Sequence, residues 1–416
     1  MVKFSRFVAN RIRSSADGTE VSRPAVRVAI TGIGIGVAVM IVTIFVAVGF
    51  KGEVRDKVIG FGGDIEVTNF ENNNTYEMRP ITVSDDLMDK LRNIDGVTRV
   101  ERFATKPGML KTDSTFAAVV FKGVDSTYNR SFYQRSLVDV MPDLADMAHP
   151  IGKNQIFISE IIAKKLNLWV DSVVYCYFIQ DKVRVRKLTV AGVYSTDFYD
   201  YDNLFILGNL NVVRTLNGWD SLQVSGLELY VDDYNRLAEI GDDVYFATAN
   251  RLDSNGEALY SRTIREINPQ VFSWLALLDT NVWVIILLML AVAGFNMISG
   301  LIILILDGIQ LIGVMRALGS TIWEVRKIFI WQAVALIGKG MIYGNIAGLV
   351  ICAIQYFTHL IPLDATVYYV SYVPVSFNWL LWALLNIATL LFSLLILVGP
   401  SHIVSRISPA QVMRYE

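Results

Sequence analysis

Four stretches of the chain, residues 28–50, 282–306, 328–357 and 377–399, are apolar almost without interruption and carry one charge between them, Lys339. Each reaches the roughly 20 residues that an α-helix needs to cross about 30 Å of hydrocarbon. A backbone in lipid must satisfy its own hydrogen bonds, so the pattern predicts four transmembrane helices. Residues 51–281 follow a different rhythm, in which short strand-like and helix-like runs alternate. Asp64–Thr68, Val97–Phe103, Phe116–Lys122, Arg186–Tyr194, Leu204–Leu207 and Leu227–Val231 read as strands. Ser84 can cap a helix carrying Leu87, Leu91 and Ile94, Ser159 can cap one over Ile161–Leu168, and a third is expected over Leu210–Leu216. The expected fold is an α-helical membrane protein of four transmembrane helices, with a large α+β domain between helices 1 and 2.

Composition sharpens this picture. The chain is 53% hydrophobic and 18% charged, against roughly 45–50% and a quarter for soluble domains. A plain soluble enzyme, a disordered chain and a disulfide scaffold are excluded. Cys176 and Cys352 fall in an aqueous part and an apolar stretch, so no disulfide between them is expected. The net charge of −2 gives no reason to expect nucleic acid. Lys and Arg set the orientation. Segment 1–27 holds six of them, loop 307–327 holds Arg316, Arg326 and Lys327, tail 400–416 holds Arg406 and Arg414, and loop 358–376 holds none. Both termini and loop 307–327 are therefore expected in the cytoplasm, with 51–281 and 358–376 outside. The first apolar run is too long for a signal-peptide core and reads as uncleaved. Phe4, Val8 and Ile12, spaced among basic residues, suggest an interfacial helix before it.

Candidate chemistry is sparse. His149, His359 and His402 are scattered, and the sequence contains no HExxH, GxSxG, CxxC or GxxxxGK[ST] pattern. We expect no catalytic, cofactor-binding or metal-binding residues in this chain. Any ATP it depends on must be hydrolysed by a partner. Gly32, Gly34 and Gly36 superficially resemble a phosphate loop, but inside an apolar helix small residues signal close helix packing. Gly340, Gly344 and Gly348 form a second small-residue ladder, expected to pack on a neighbouring helix. Lys339, beside it, fits a structural role with its stem snorkelling outward. In loop 307–327, Leu311, Ile312, Met315 and Leu318 share one helical face. Gly319 is placed to end that helix, and Thr321 with Glu324 has capping-box spacing for the next. This short amphipathic helix can serve as an interfacial anchor or as a knob for a cytoplasmic partner.

Phe295–Ser299, followed by Ile312-Gly313-Val314-Met315-Arg316-Ala317-Leu318-Gly319, resembles the second helix and cytoplasmic turn of FtsX/MacB-type ABC permeases. Gly34–Ala38 through Gly49-Phe50, Val190–Tyr194 with Tyr201-Asp202, Tyr372–Val375, Pro400, Ser408–Ala410 and Arg414–Glu416 are similar to the lipoprotein-releasing (Lol) subfamily in particular. The resemblance implies a permease subunit without its own ATPase. It implies pairing with a second permease, identical or paralogous, and docking on a cytoplasmic ABC ATPase dimer through Ile312, Met315, Arg316, Ala317, Leu318 and Gly319. Its implied work is to extract lipoproteins from the inner membrane and pass them to a periplasmic lipoprotein carrier. Met40, Ile44 and Val48 on the first helix and Met289, Phe295 and Met297 on the second can line a lipid path, since methionine adapts to varied acyl shapes. The same residues also suit ordinary contact with membrane lipids or with other helices. The competing expectation is a mechanotransmitter that drives efflux or activates a cell-wall hydrolase without moving lipid. A passive adhesion or signalling protein fits the amphipathic turn less well.

Overall fold

The structure, a computed structural model, describes residues 22–72, 75–144, 150–179, 182–249, 251–253 and 255–401. The expected interfacial helix near Phe4–Ile12 and the basic tail lie outside the described residues. Along the chain, helix α1 (Ser22–Gly62) leads into strands β1 (Ile65–Asn69) and β2 (Ile81–Thr82), helix α2 (Asp85–Arg92) and strands β3 (Val97–Lys111), β4 (Phe116–Val124) and β5 (Leu137–Val140). Strand β6 (Gln155–Ser159), helix α3 (Glu160–Leu166), hairpin β7 (Val173–Ile179) and β8 (Val183–Tyr194), strand β9 (Phe205–Asn209) and helix α4 (Leu210–Asn217) follow. Strands β10 (Gln223–Val224) and β11 (Gly226–Val231), helix α5 (Leu237–Thr248) and strand β12 (Leu259–Thr263) complete the α+β part. The chain ends in α6 (Pro269–Asp307), α7 (Ile309–Ala317), α8 (Ile322–Thr358), the single turn α9 (Ala365–Tyr368) and α10 (Trp379–Ser401).

These elements form two compact units. One comprises residues 52–273 together with 362–372, and the other comprises the rest. In the α+β unit the strands run in the order β12-β1-β11-β3-β4-β9-β6-β8-β5, with β7 paired to both β3 and β8. Six strands, β3-β4-β9-β6-β8-β7, therefore close on themselves. Closure removes two exposed edges, the usual liability of a sheet. The pairs β4/β9 and β6/β8 are parallel and the others antiparallel. Phe121 and Phe178, both fully buried, meet edge to face at 6.1 Å between strands of this ring. Local chemistry sets the helix starts. The Ser84 hydroxyl accepts the Leu87 N–H at 3.3 Å, and the Ser159 hydroxyl accepts that of Ile162 at 3.1 Å.

In the helical unit, α1, α6, α8 and α10 are each long and apolar enough to cross a membrane. Their outward side chains are apolar too: Trp283, Leu287, Leu380 and Leu395 are each 70–72% exposed, the inverse of a soluble surface. The interior is a cluster that includes Ile33, Met40 and Phe45 from α1, Met297 and Leu301 from α6, and Phe329 and Ile337 from α8. Two helices run on beyond their apolar stretches. α1 continues to Gly62 because Val54, Val58 and Phe61 keep an apolar stripe at helical spacing, and all three are buried. α6 begins at Pro269, whose missing N–H costs nothing in a first turn. Within the helical unit, α1 and α6 are joined by Lys51 Nζ to Asp279 Oδ2 at 2.6 Å and by Phe50 against Trp274 at 5.5 Å. Asn345 of α8 and Asn386 of α10 exchange two amide hydrogen bonds, at 2.7 and 3.0 Å, and Trp382 Nε1 donates to Asn345 Oδ1 at 2.7 Å. Such polar pairs bind helices together in lipid.

Candidate functional site

The turn between α6 and α8 is built by two back-to-back caps. Gly319 sits at φ +91°, a left-handed conformation that glycine adopts without a Cβ penalty. The Ser320 N–H donates to Met315 O at 3.0 Å and the Gly319 N–H to Arg316 O at 3.1 Å, which closes the end of α7. Two residues after that glycine, α8 opens with a capping box. The Thr321 hydroxyl accepts the Glu324 N–H at 3.3 Å, and Glu324 Oε2 accepts the Thr321 N–H at 2.9 Å. The direction of α7 is thus fixed by a few residues. Ile312 is fully buried and anchors the turn in the helical core, while Met315 and Arg316 are half-buried and Ala317 and Gly319 are exposed. Leu318 is 79% exposed, and Val314 and Trp323 are also well exposed. The Arg326 and Lys327 cations lie over the Trp323 ring, at 5.1 and 5.7 Å. The turn therefore presents an apolar knob beside a basic flank.

The glycines bring helices to backbone contact. A Cβ placed on Gly344 would lie 2.6 Å from Gly34 O, one on Gly340 2.8 Å from the Ile33 side chain, and one on Gly348 3.1 Å from that of Ile41. On α1, Gly34 faces α8, whereas Gly32 and Gly36 face Asn296 and Ala293 of α6. Of the residues considered for a lipid path, Met40 and Met297 are buried inside the helix cluster, with Ile44 and Met289 packed against it. Val48 is half-buried, and Phe295 points outward at 71% exposure. The six thus do not share one open surface within a single chain. Lys339 is exposed.

The α+β unit holds a charged row that sequence reading did not suggest. Across four neighbouring strands, Arg262 of β12 faces Glu66 of β1, Glu66 faces Glu228 of β11, and Glu228 faces Glu101 of β3. Like charges directly opposite each other are unfavourable. Lys122 answers them from β4, donating to Glu228 Oε1 at 2.6 Å and also to the Phe61 carbonyl at the end of α1. The Tyr128 hydroxyl donates to Glu228 Oε2 at 2.9 Å. Glu101 Oε1 accepts from Asn129 N–H and Arg99, but its Oε2 is buried without a partner. Burial pushes the Glu101 carboxyl up to about 7, against the pull of the Asn129 N–H and Arg99. Burial and the adjacent Glu228 carboxylate push Glu66 up to about 7 as well.

A carboxyl whose pKa rises on folding holds its proton better in the folded state. Its contribution to stability is complete below the ordinary value of 4.5 and is lost as pH rises through about 7. Glu101→Gln, which fixes the neutral form, should therefore flatten the decline in stability of the α+β unit between about pH 5 and pH 8. Hydrogen exchange of β3 and β11 amides in the full chain, expressed as protection relative to the intrinsic rate at each pH, reads this. An unchanged pH profile would exclude Glu101 as the source.

Among the described residues, no group of three or more His, Cys, Asp or Glu is placed to hold a metal ion. Cys176 and Cys352 are both free and buried.

The chain joins long apolar helices to a mixed sheet inserted after the first. Residues 28–247 match the MacB-like periplasmic core domain family, and residues 283–409 match the FtsX-like permease C-terminal family. The chain belongs to this FtsX/MacB-like permease family. It is 24% identical over 407 residues to the lipoprotein-releasing system transmembrane protein LolC of Neisseria meningitidis serogroup B, covering 94% of each chain. It is 22% identical over 402 residues to the lipoprotein-releasing system transmembrane protein LolE of Haemophilus influenzae, covering 92% of each. The solved periplasmic region of MacB from Actinobacillus actinomycetemcomitans overlaps 52% of this chain and 97% of its own, at 13% identity and a TM-score of 0.33.

Proposed function

We propose that this chain is the permease subunit of an ABC transporter that extracts lipoproteins from the inner membrane and passes them to a periplasmic carrier. The observation that carries this reading is similarity to LolC and LolE along nearly the whole chain, helices and inserted domain together. A separate cytoplasmic ATPase dimer supplies the energy by hydrolysing ATP. It docks on the knob of Val314, Leu318 and Trp323, and a second permease, identical or paralogous, completes the membrane part. Both termini and the α7 turn face the cytoplasm, and the α+β unit and the α8–α10 connection face the periplasm. An impermeant thiol reagent added outside should label a cysteine at Ser126 but not one at Ser320; equal labelling would overturn this orientation.

The physics explains why such a task needs a driven machine. Each buried CH₂ is worth about 0.8 kcal/mol, so three acyl chains in bare water would cost on the order of 30 kcal/mol or more. The chains must slide along apolar protein and be expelled by closure. Native complex purified from membranes is expected to carry a separate ATPase and a triacylated protein. A photocrosslinker at Ile44, Val48 or Phe295 should capture lipoprotein without ATP and release it when ATP and carrier are added. Leu391 and Leu395, both well exposed on α10, should capture bulk lipid. If the two sets behave alike, the protein transmits movement without conducting lipid.

A further inference from the structure

Residues 362–372 connect α8 to α10, yet they pack as part of the α+β unit. The segment is closed on itself: Pro362 bridges Tyr372, and the Leu363 N–H donates to Ser371 O at 2.8 Å. Asp364 caps α9 inside it, accepting from the Thr366 N–H at 2.9 Å and the Thr366 hydroxyl at 2.6 Å. Such a closed loop can be gripped and moved as a body. Lys57 and Phe198 both grip it, and both lead to the end of α1. Lys57, on the last turns of α1 and almost fully buried, donates from Nζ to Tyr369 O at 3.1 Å. The Tyr369 ring lies 4.6 Å from that of Phe198. Phe198 in turn belongs to the rings around Phe61 of α1, with Tyr201 at 4.7 Å, Phe132 at 5.1 Å and Phe198 itself at 6.2 Å.

The chemistry at both grips is selective. Burial lowers the Lys57 pKa, and Asp197 Oδ2 and Glu53 Oε1, each 3.8 Å away, oppose that and favour the charged form while one N–H reaches the loop. A charge-assisted hydrogen bond to a carbonyl is stronger than a neutral one. Tyr369 adopts φ +61°, where glycine or asparagine would be at less cost, so its backbone conformation does not account for the residue type. Its ring contact does.

We propose that Lys57 and Tyr369 are positioning residues that fasten the α8–α10 connection to the end of α1, giving the α+β unit a third point of attachment besides its entry and exit helices. The fastening is a property of the fold alone. Its consequence, that nucleotide-driven movement of α8 and α10 reaches the α+β unit through this clasp, rests on the transport reading above.

Hydrogen exchange of the peptide covering 362–372, measured in the full chain in nanodiscs, tests the fastening. Lys57→Met and Tyr369→Gly should each raise its exchange roughly tenfold, with β3 and β4 peptides unchanged. Lys57→Arg, which keeps the charge and its donors, should retain most of the protection. Tyr369→Gly also relieves the left-handed backbone, so it remains informative if Lys57→Met unfolds the domain and exposes β3 and β4. Unchanged exchange of 362–372 in Tyr369→Gly and in any folded Lys57 variant would overturn the fastening. In the assembled transporter, the variants should lose about tenfold in ATP-driven lipoprotein release while continuing to hydrolyse ATP. Faster exchange with undiminished release would overturn the coupling role. Absence of release by the unaltered complex would count against the transport reading and leave the exchange result to decide the clasp.

Discussion

Leu318→Asp is expected to strip the permease of its ATPase while leaving the helical unit folded. Leu318 is 79% exposed, so a charge there disturbs no internal packing. It sits at the end of α7, where a negative charge opposes the helix dipole by only about 0.3–1 kcal/mol. In a desolvated docking pocket the same carboxylate is far more costly. Losing an apolar anchor at the centre of an interface costs about 2 kcal/mol or more, a weakening of roughly 30-fold. Leu318→Ala should give a smaller loss in the same direction. Co-purification of the ATPase with each variant, together with its rate of hydrolysis in the complex, measures the effect. Full binding and turnover in Leu318→Asp would show that the ATPase docks elsewhere.

Gly344→Leu is expected to disrupt the helical unit itself. Even a Cβ at this position meets the Gly34 carbonyl at 2.6 Å, and backbone cannot rotate away as a side chain can. Overpacking ordinarily costs about 1–3 kcal/mol, and more when two helices must separate. Gly338→Ala is the matching control, because a Cβ there meets nothing within 4 Å. Removing a helical glycine at an open site should be neutral or gain up to about 1 kcal/mol. Thermal unfolding of the two variants in detergent should therefore move in opposite directions, or only Gly344→Leu should move. Equal behaviour would mean that the α1–α8 contact contributes nothing.

The existence of the long helices was legible because twenty apolar residues in a row leave a chain few alternatives. Their ends were not. The last turns of α1 and the first of α6 carry charges among their apolar positions, and nothing local distinguishes an amphipathic helical extension from the start of a domain. Gly319, Thr321 and Glu324 were readable because capping is chemistry between residues a few positions apart. The strands β6, β7 and β12 and helix α5 escaped the reading, β7 because Val173–Ile179 is a nearly continuous apolar run without clear alternation. The row of Glu66, Glu228 and Glu101 could not be found from sequence, since each partner lies far along the chain and only strand register makes them neighbours. Residue type alone suggests a lipid path over Met40, Ile44, Val48, Met289, Phe295 and Met297. Which of them face inward depends on helix phase, and the glycines of α1 set that phase by turning Gly34 to α8 and Gly32 and Gly36 to α6.

The amide pair of Asn345 and Asn386 has a mechanical meaning. Apolar helices in lipid can slide past one another at little expense, because one methyl group is as good a neighbour as the next. Two reciprocal amide bonds have a single register, and a slip of one turn, about 5.4 Å, would break both and leave each amide only its bond to a carbonyl of its own helix. α8 and α10 therefore behave as one rigid lever. Any push applied at the α7 turn, at the start of α8, would be carried along both helices at once, because the register pin resists shear between them.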